Sequence, residues 1–182
     1  MVMTKRALKT VADYLSLDDD TRVELIEGEF FLTPSPNFRH QRLLLRLAER
    51  LDAFAGAAGA GEVVPAPFDV ILSEHDVVQP DIVFISTSRL GQIRERLHGP
   101  PDLAVEILCP SNSERDLIVK RDLYRRHRLP EYWIVDPERR TVEVLRLLGD
   151  EWTLHGIFEA ADELTSPSLP GLRIPLSEIF KE

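Results

Sequence analysis

The chain has 182 residues, one cysteine and a formal net charge of −9. Its length predicts a single domain, residues 1–182, and the lone cysteine with no apolar leader favours a reducing, cytoplasmic setting over secretion. No run approaches the ~20 apolar residues that a membrane span needs. The negative charge argues against a protein that coats nucleic acid non-specifically.

The N-terminal part of the sequence predicts two helices and a hairpin. Residues 10–17 are typical of a short helix with Thr10 as its N-cap. Residues 22–32 indicate two strands joined by a turn that contains Gly28. Apolar residues recur at helical spacing over 38–55, which predicts a longer helix.

The remainder of the chain predicts a sheet. Runs rich in valine, isoleucine and phenylalanine indicate strands, and a second helix separates them. The strands are expected at 62–72, 81–86, 103–109, 132–135, 141–147 and 152–158, and the helix at 113–127. This order is typical of a layered α/β (α+β) fold with one main mixed β-sheet flanked by helices.

Charge is distributed unevenly along this pattern. Residues 112–146 carry nine basic and seven acidic side chains, whereas residues 149–182 carry two basic and seven acidic ones. The middle of the chain is therefore locally positive. The stretch 148–182 is expected to be an acidic C-terminal extension.

Three acidic residues occupy unusual positions. Asp81 opens an apolar run, Glu106 lies inside an otherwise apolar strand, and Glu24 interrupts the first strand of the hairpin. A carboxylate is costly to desolvate unless it is paired, protonated or bound to a cation. Taken alone, Glu106 more simply faces solvent at a sheet edge. With Asp81 at the start of another strand, a shared hard cation such as Mg²⁺ becomes the better explanation.

A helical wheel of residues 113–127 adds independent evidence. Lys120 and Tyr124 lie on the apolar side of the helix, one turn apart. Lys120 either extends over the core and pairs with Asp116 or points at the two strand carboxylates, and the wheel alone does not decide between them. The two carboxylates favour the second interpretation.

Other polar side chains have simpler interpretations. His40 falls on the apolar face of its helix, which is more typical of a core or capping histidine than of a substrate contact. Cys109 ends a strand beside a proline, and no pattern around it indicates a reactive thiol. Outward-facing arginines are most often solvated, but they also offer phosphate contacts. This set comprises Arg121, Arg125, Arg126 and Arg128, to which Arg139 and Arg140 add.

Several motifs strongly resemble a known family. Pro80-Asp81 and the run PDLAVEILCPSNSERDLIVKRDLYRRHRLPEYWIVDP at 101–137 are similar to the Uma-type restriction-endonuclease-like proteins. The resemblance covers residues 10–147, including the hairpin and the His40 helix, and implies the PD-(D/E)XK nuclease superfamily and its fold. Leu108 stands where that superfamily commonly has its lysine, and the resemblance implies that Lys120 takes this part.

The resemblance implies a metal-dependent endonuclease that hydrolyses phosphodiester bonds, with DNA as the expected substrate. The implied ligands of Mg²⁺ or Mn²⁺ are Asp81, Glu106 and the main-chain carbonyl of Ile107. Lys120 would orient or help to deprotonate the attacking water and stabilise the phosphoryl oxygens. Glu24 would complete the metal site through water, and Tyr124 would hold Lys120 or touch the phosphate.

A protein of another class remains an alternative, namely an inactive, dimeric binding or scaffold protein that keeps the nuclease fold. The low positive charge and the missing lysine after Glu106 favour it. Many nucleases of the superfamily dimerise, so a homodimer is expected under either interpretation. The candidate contacts are the segments EYWIV at 131–135 and WTLHGIF at 152–158.

Overall fold

The computed structural model describes residues 7–18, 21–33, 35–109 and 114–181, and only the backbone of residues 114–116. In these ranges the α-helices are Val11–Leu15 (α1), Phe38–Ala58 (α2), Glu114–Arg126 (α3) and Leu176–Ile179 (α4), and a 3-10 helix spans Thr87–Gln92. The three predicted helices are confirmed, and Thr10 caps α1. None of the helices in the described ranges is long and apolar enough to cross a membrane.

The strands of the described chain, in chain order, are β1 Val23–Ile26, β2 Glu29–Leu32, β3 Gly61–Pro65, β4 Val70–Ser73, β5 Asp76–Val78, β6 Ile82–Ser86, β7 Leu97–His98, β8 Leu103–Ile107, β9 Glu131–Asp136, β10 Thr141–Leu148, β11 Glu151–Glu159, β12 Glu163–Leu164 and β13 Ile174–Pro175. The predicted hairpin is formed by β1 and β2. Its two turn residues, Glu27 and Gly28, have φ angles of 52° and 75°, as a two-residue hairpin turn requires. A Cβ on Gly28 would lie 2.7 Å from the Cβ of Leu8, so this position needs glycine.

The predicted central mixed sheet is present, with six described strands in the order β11-β10-β9-β8-β6-β3. A second sheet, in the order β2-β1-β5-β4-β7, was not expected from the sequence. The single strand predicted at 62–72 is wrong, because it is divided between the two sheets as β3 and β4. Pro65 and Pro67 lack the N–H groups that would continue a ladder.

Both faces of the inner strands β6, β8 and β9 are buried, which explains why these strands are almost continuously apolar. Val105 packs in the apolar cluster that contains the α2 leucines. Ala104, the next residue along the chain, packs in the opposite cluster with Leu123 of α3 and with the second sheet. Side chains alternate along a strand, so Glu106 lies on the Ala104 face, towards α3.

The chain after residue 147 contributes to the same structure. β11 pairs with β10 at one edge of the central sheet. Further along, seven apolar side chains join the α2 cluster, namely Leu164, Leu169, Leu172, Ile174, Leu176, Ile179 and Phe180. This acidic stretch therefore supplies part of the core.

The two candidate dimer segments occupy different positions in the central sheet. EYWIV lies in β9, between β8 and β10, and its Tyr132 and Trp133 are fully buried. The interpretation of this segment as a dimer contact is wrong, because an interior strand has no free edge. WTLHGIF lies in the edge strand β11, where Leu154 and Ile157 are more than half exposed.

Candidate active site

The sheet register brings the first two predicted residues together. β6 and β8 are antiparallel neighbours, with Ile82 opposite Val105. Asp81 comes just before Ile82 and Glu106 just after Val105, so this register sets the two acidic residues side by side. Glu106 is only 8 % exposed, since α3 covers that face of the sheet, and it does not face open solvent.

Lys120 reaches this position from α3. Its Nζ lies 3.0 Å from Oε1 of Glu106 and 3.0 Å from Oε1 of Glu24. One turn further along, Tyr124 donates a 2.7 Å hydrogen bond to the same Oε1 of Glu106. The hydroxyl of Tyr124 thus contacts Glu106, and its side chain is almost fully buried. The side chain of Asp116, the other possible partner of Lys120, lies outside the described residues.

Glu24 enters the site from the hairpin strand β1. All four residues of β1 are buried, and Glu24 accepts a 2.8 Å hydrogen bond from the backbone N–H of Gln79. The carboxylate is thus held between the second sheet and Lys120. Its burial is made tolerable by two donors, as buried charges require.

Asp81 is held by two donors that act on one of its oxygens. The backbone N–H of Ile107 donates to Oδ2 at 2.7 Å, and Nε2 of His40 lies 3.2 Å from the same atom. His40 is in the first turn of α2 and is buried. The sequence interpretation of His40 as a core or capping residue missed this contact, because only the packing of α2 against the sheet brings it to Asp81.

Each of the two acidic side chains keeps a second oxygen available. Within the described chain, no hydrogen bond reaches Oδ1 of Asp81 or Oε2 of Glu106. The side chains of Asp81 and Glu106 are 17 % and 11 % exposed. Asp81, Glu106 and Lys120 line a common cleft of about 310 Å³, together with Arg22, Gln79 and His40.

The electrostatics of the site reflect its burial and its excess of acids. Burial raises the pKa of Glu106 to about 7; Lys120 opposes this shift, while Asp81 and Glu24 add to it. For Lys120, burial would lower the pKa, but the Glu106 and Glu24 carboxylates outweigh burial and raise it. With three carboxylates around one ammonium group, the site favours a further cation.

The available oxygens of Asp81 and Glu106 fit a hard divalent ion that takes only a few of its ligands from the protein. In the described ranges, no group of three or more histidine, cysteine or acidic side chains is arranged to hold a metal ion; Glu24 is instead drawn to Lys120. Two carboxylate oxygens, from Asp81 and Glu106, remain available. Mg²⁺ is usually bound through one or two carboxylates and keeps several waters, so these oxygens suit Mg²⁺ or Mn²⁺.

The arginines predicted as phosphate contacts are engaged with acidic side chains. Arg121 pairs with Glu143 at 3.7 Å, Arg125 with Asp122 at 2.7 Å, Arg126 with Glu27 at 2.6 Å, and Arg128 with Asp150. A phosphate group would have to compete with these carboxylates. Arg140 donates to the carbonyl of Phe180.

A second pocket of about 310 Å³ adjoins the cleft. His40 and Cys109 line both cavities, and Arg39 and Arg139 line the second one. Arg39 donates to the carbonyl of Pro137, and Arg139 is 84 % exposed. These two guanidinium groups therefore line a pocket that shares His40 and Cys109 with the carboxylate cleft.

Comparison with known proteins identifies the family of the chain. Residues 11–177 match the family described as Uma2, putative restriction endonuclease. The chain belongs to the Uma2 family. The match continues past residue 147, through β11 and most of the C-terminal residues that join the α2 cluster. No curated protein sequence matches the chain.

A solved structure shows that the fold of this Uma2 chain is shared. The crystal structure of a putative nuclease belonging to DUF820, from Anabaena variabilis, is similar with a TM-score of 0.80 and 22 % sequence identity. The similarity covers 94 % of this chain and 97 % of the other. The nuclease-type fold expected from the sequence is therefore confirmed.

One part of the family motif has a structural explanation. Glu131, which begins the EYWIV segment, is fully buried and accepts hydrogen bonds from Nε1 of Trp133 at 2.6 Å, Oγ of Ser166 at 2.8 Å and the N–H of Ser168 at 2.6 Å. It ties the C-terminal segment to the central sheet. The motif residues 110–113 lie outside the described residues.

Proposed function

We propose that this Uma2 protein is a metal-dependent nuclease that hydrolyses phosphodiester bonds in DNA, using Mg²⁺ or Mn²⁺. The observation that carries the proposal is the shared arrangement of Asp81 and Glu106. Each carboxylate has one oxygen engaged by two donors and a second oxygen available to a common cleft. Membership of a family of restriction-endonuclease type supports phosphodiester chemistry.

Asp81 and Glu106 would hold the ion, and the main-chain carbonyl of Ile107 would supply a further oxygen. When bound, the ion would lower the pKa of a coordinated water and neutralise charge on the scissile phosphate. The backbone N–H of Ile107 already donates to Asp81. Ile107 would therefore hold the Asp81 ligand through its N–H and supply a ligand oxygen through its carbonyl. Tyr124 positions Glu106 by donating to its Oε1.

Lys120 would act on the phosphate or on the attacking water. Its ammonium group lies beside Glu106 at the cleft, and with Glu24 and Glu106 as partners for two of its three N–H groups, the third can donate a hydrogen bond to a phosphoryl oxygen or to a water. Donors fixed in advance at a position where negative charge develops stabilise a transition state strongly. Glu24 helps to keep Lys120 in place through its 3.0 Å contact with the ammonium group, and it can accept a hydrogen bond from a water near the ion.

The proposal is tested by incubating the purified protein with labelled single-stranded, duplex and branched DNA, and with RNA. Each substrate is offered with Mg²⁺, with Mn²⁺ and with EDTA. We expect cleavage of at least one DNA substrate that EDTA abolishes. Intact DNA in every metal-containing reaction contradicts the proposal, and cleavage of RNA alone revises the substrate class.

A catalytically inactive scaffold remains the second candidate, and one observation favours it. In the described ranges, no three-residue metal-binding group is formed, and Lys120 already compensates Glu24 and Glu106. Calorimetric titration with Mn²⁺ separates the two candidates. A nuclease is expected to bind Mn²⁺ and to lose this binding in Glu106→Gln, whereas a scaffold is expected to show no binding in either protein.

A further inference from the structure

His40 contacts the proposed metal ligand Asp81, but the proposed mechanism gives it no role. It lies in the first turn of α2, is 5 % exposed, and approaches Asp81 through Nε2. Its backbone N–H is bonded separately to Oδ1 of Asn37, at 2.9 Å. The start of α2 is therefore capped without any contribution from the imidazole ring.

The contact with His40 determines which oxygen of Asp81 is available. A carboxylate rotates about its terminal torsion, which is broad and roughly two-fold, so without partners its two oxygens are interchangeable. Here His40 and the backbone N–H of Ile107 both act on Oδ2, at 3.2 Å and 2.7 Å. Two donors occupy that oxygen and leave Oδ1 as the oxygen that can bind a cation.

We infer that His40 is a positioning residue that, together with the Ile107 N–H, holds Asp81 with Oδ1 directed at the metal position. This inference rests on the proposed function. Groups that hydrogen-bond a ligating carboxylate set its orientation, and their removal commonly lowers metal affinity about 10- to 100-fold. His40 acts through Asp81 and needs no contact with the substrate.

The geometry identifies the ring nitrogen that matters. An ionised carboxylate only accepts hydrogen bonds, so Nε2 of His40 must carry the hydrogen that is shared with Asp81. Nδ1 is buried and has no hydrogen-bond partner in the described chain. A replacement must therefore supply a donor at the position of Nε2, and a donor at the position of Nδ1 is of no use.

Two amide side chains distinguish these positions. The longer glutamine side chain can place its amide N–H₂ near the position of Nε2, whereas the shorter asparagine places it near that of Nδ1. His40→Gln and His40→Asn are thus a matched pair that differs in where the donor lies, and His40→Ala removes it altogether. Circular dichroism and urea unfolding of all three variants establish that the fold is retained.

The experiment is a calorimetric Mn²⁺ titration of the wild type and the three variants, with the electron paramagnetic resonance signal of free Mn²⁺ as a second measure of affinity. We expect affinity to fall about 10- to 100-fold in His40→Ala and His40→Asn, and to stay within about threefold of the wild type in His40→Gln. A purely structural histidine would change unfolding and leave Mn²⁺ affinity of the folded protein unchanged.

Three results overturn the inference: affinity unchanged in His40→Ala, affinity as low in His40→Gln as in His40→Ala, and no Mn²⁺ binding by the wild type. The proposed function fails separately. If the wild type binds Mn²⁺, the variants follow the expected order and no DNA is cleaved, then His40 positions Asp81 in a metal-binding protein that is not a nuclease.

Discussion

Lys120 places its ammonium group 3.0 Å from Oε1 of Glu106, a residue 14 positions earlier in the chain and in a different secondary structure element. The same ammonium group lies 3.0 Å from Glu24. One cation thus compensates two buried carboxylates, and Asp81 lies beside them in the cleft. Substitutions in this cluster are therefore expected to change stability and metal binding to different extents, because Lys120 compensates buried charge whereas Asp81 and Glu106 are the proposed metal ligands.

Lys120→Met is expected to destabilise the protein strongly. It leaves Glu24 and Glu106, both largely buried, without their cation, and removal of one partner of a buried ion pair typically costs about 3–5 kcal/mol. Glu106→Gln removes a carboxylate that burial already disfavours and leaves Lys120 paired with Glu24. We expect its free energy of unfolding to lie within about 1 kcal/mol of the wild type.

Urea unfolding followed by tryptophan fluorescence measures both variants. The prediction requires similar m-values, so that a change in midpoint reports stability alone. Equal stability of Lys120→Met and the wild type would mean that the two carboxylates are not compensated by Lys120 in solution.

Glu131→Gln is expected to lower stability without affecting the chemistry of the site. Glu131 accepts from Trp133, Ser166 and Ser168, and an amide N–H₂ in place of one oxygen leaves a buried donor unpaired. The cost is about 1–3 kcal/mol, and each kcal/mol lowers the Tm of a chain of this size by about 2–4 °C. Thermal unfolding checks this, with Glu95→Gln as control because Glu95 is 92 % exposed. Equal losses in the two variants would contradict the role of Glu131.

Asp76 makes the stability of the fold depend on acid pH. Burial would raise its pKa, but hydrogen bonds from His127, Ser73 and the N–H of Glu27 outweigh burial and lower the pKa from 3.8 to about 2. A lowered folded-state pKa stabilises the protein above the unfolded-state pKa, and this stabilisation is lost as pH falls towards the folded-state value. We therefore expect roughly 2 kcal/mol of stability to disappear between pH 4 and pH 2.

Urea midpoints at pH 7, 5, 4, 3 and 2 measure this loss. Asp76→Asn lacks, at every pH, the stabilisation that ionised Asp76 provides. The difference in free energy of unfolding between the wild type and the variant should therefore shrink below pH 4. A difference that stays constant down to pH 2 would show that Asp76 does not carry the acid sensitivity.

Arg139 is expected to contribute more to nucleic-acid affinity than Arg121 or Arg125. Arg139 lines the pocket beside the cleft and, although it lies 3.6 Å from Asp136, is 84 % exposed, whereas Arg121 and Arg125 are less exposed and pair with Glu143 and Asp122. Loss of one phosphate contact reduces the salt dependence of binding by about one unit of slope. Fluorescence anisotropy of labelled DNA without divalent metal, at several salt concentrations, compares Arg139→Gln with Arg121→Gln and Arg125→Gln. A larger loss in the latter two would place the phosphates on the arginine face of α3 instead.

The central residues of the candidate site could be predicted because they are charged side chains at positions where the apolar pattern predicts burial. A carboxylate in the apolar strand β8 and a lysine on the apolar side of α3 both require partners, and the structure brings them within hydrogen-bonding distance. The hairpin could be predicted because glycine between two strand-like runs is typical of a turn position with positive φ, and Gly28 has such a φ angle in the structure.

Other features could not be read from local pattern. His40 meets Asp81, 41 residues away, only because α2 packs across the central sheet. Glu131 meets Ser166, 35 residues away, so its burial gives no signal in the strand itself. The division of residues 62–72 between two sheets depends on which partners Val63 and Val70 find, and alternation along one strand does not encode that choice.

The most direct test of a metal-dependent nuclease is the cleavage rate of its best DNA substrate in Mg²⁺, measured for the wild type, Asp81→Asn and Asp102→Asn from parallel preparations. Asp102 lies outside the cleft and bonds to the N–H of Ser86, so it controls for loss of an acid elsewhere. We expect Asp81→Asn to lose at least about 100-fold in rate, with Asp102→Asn within about threefold of the wild type once compared per folded protein. Equal cleavage by the wild type and Asp81→Asn would contradict the assignment of the site.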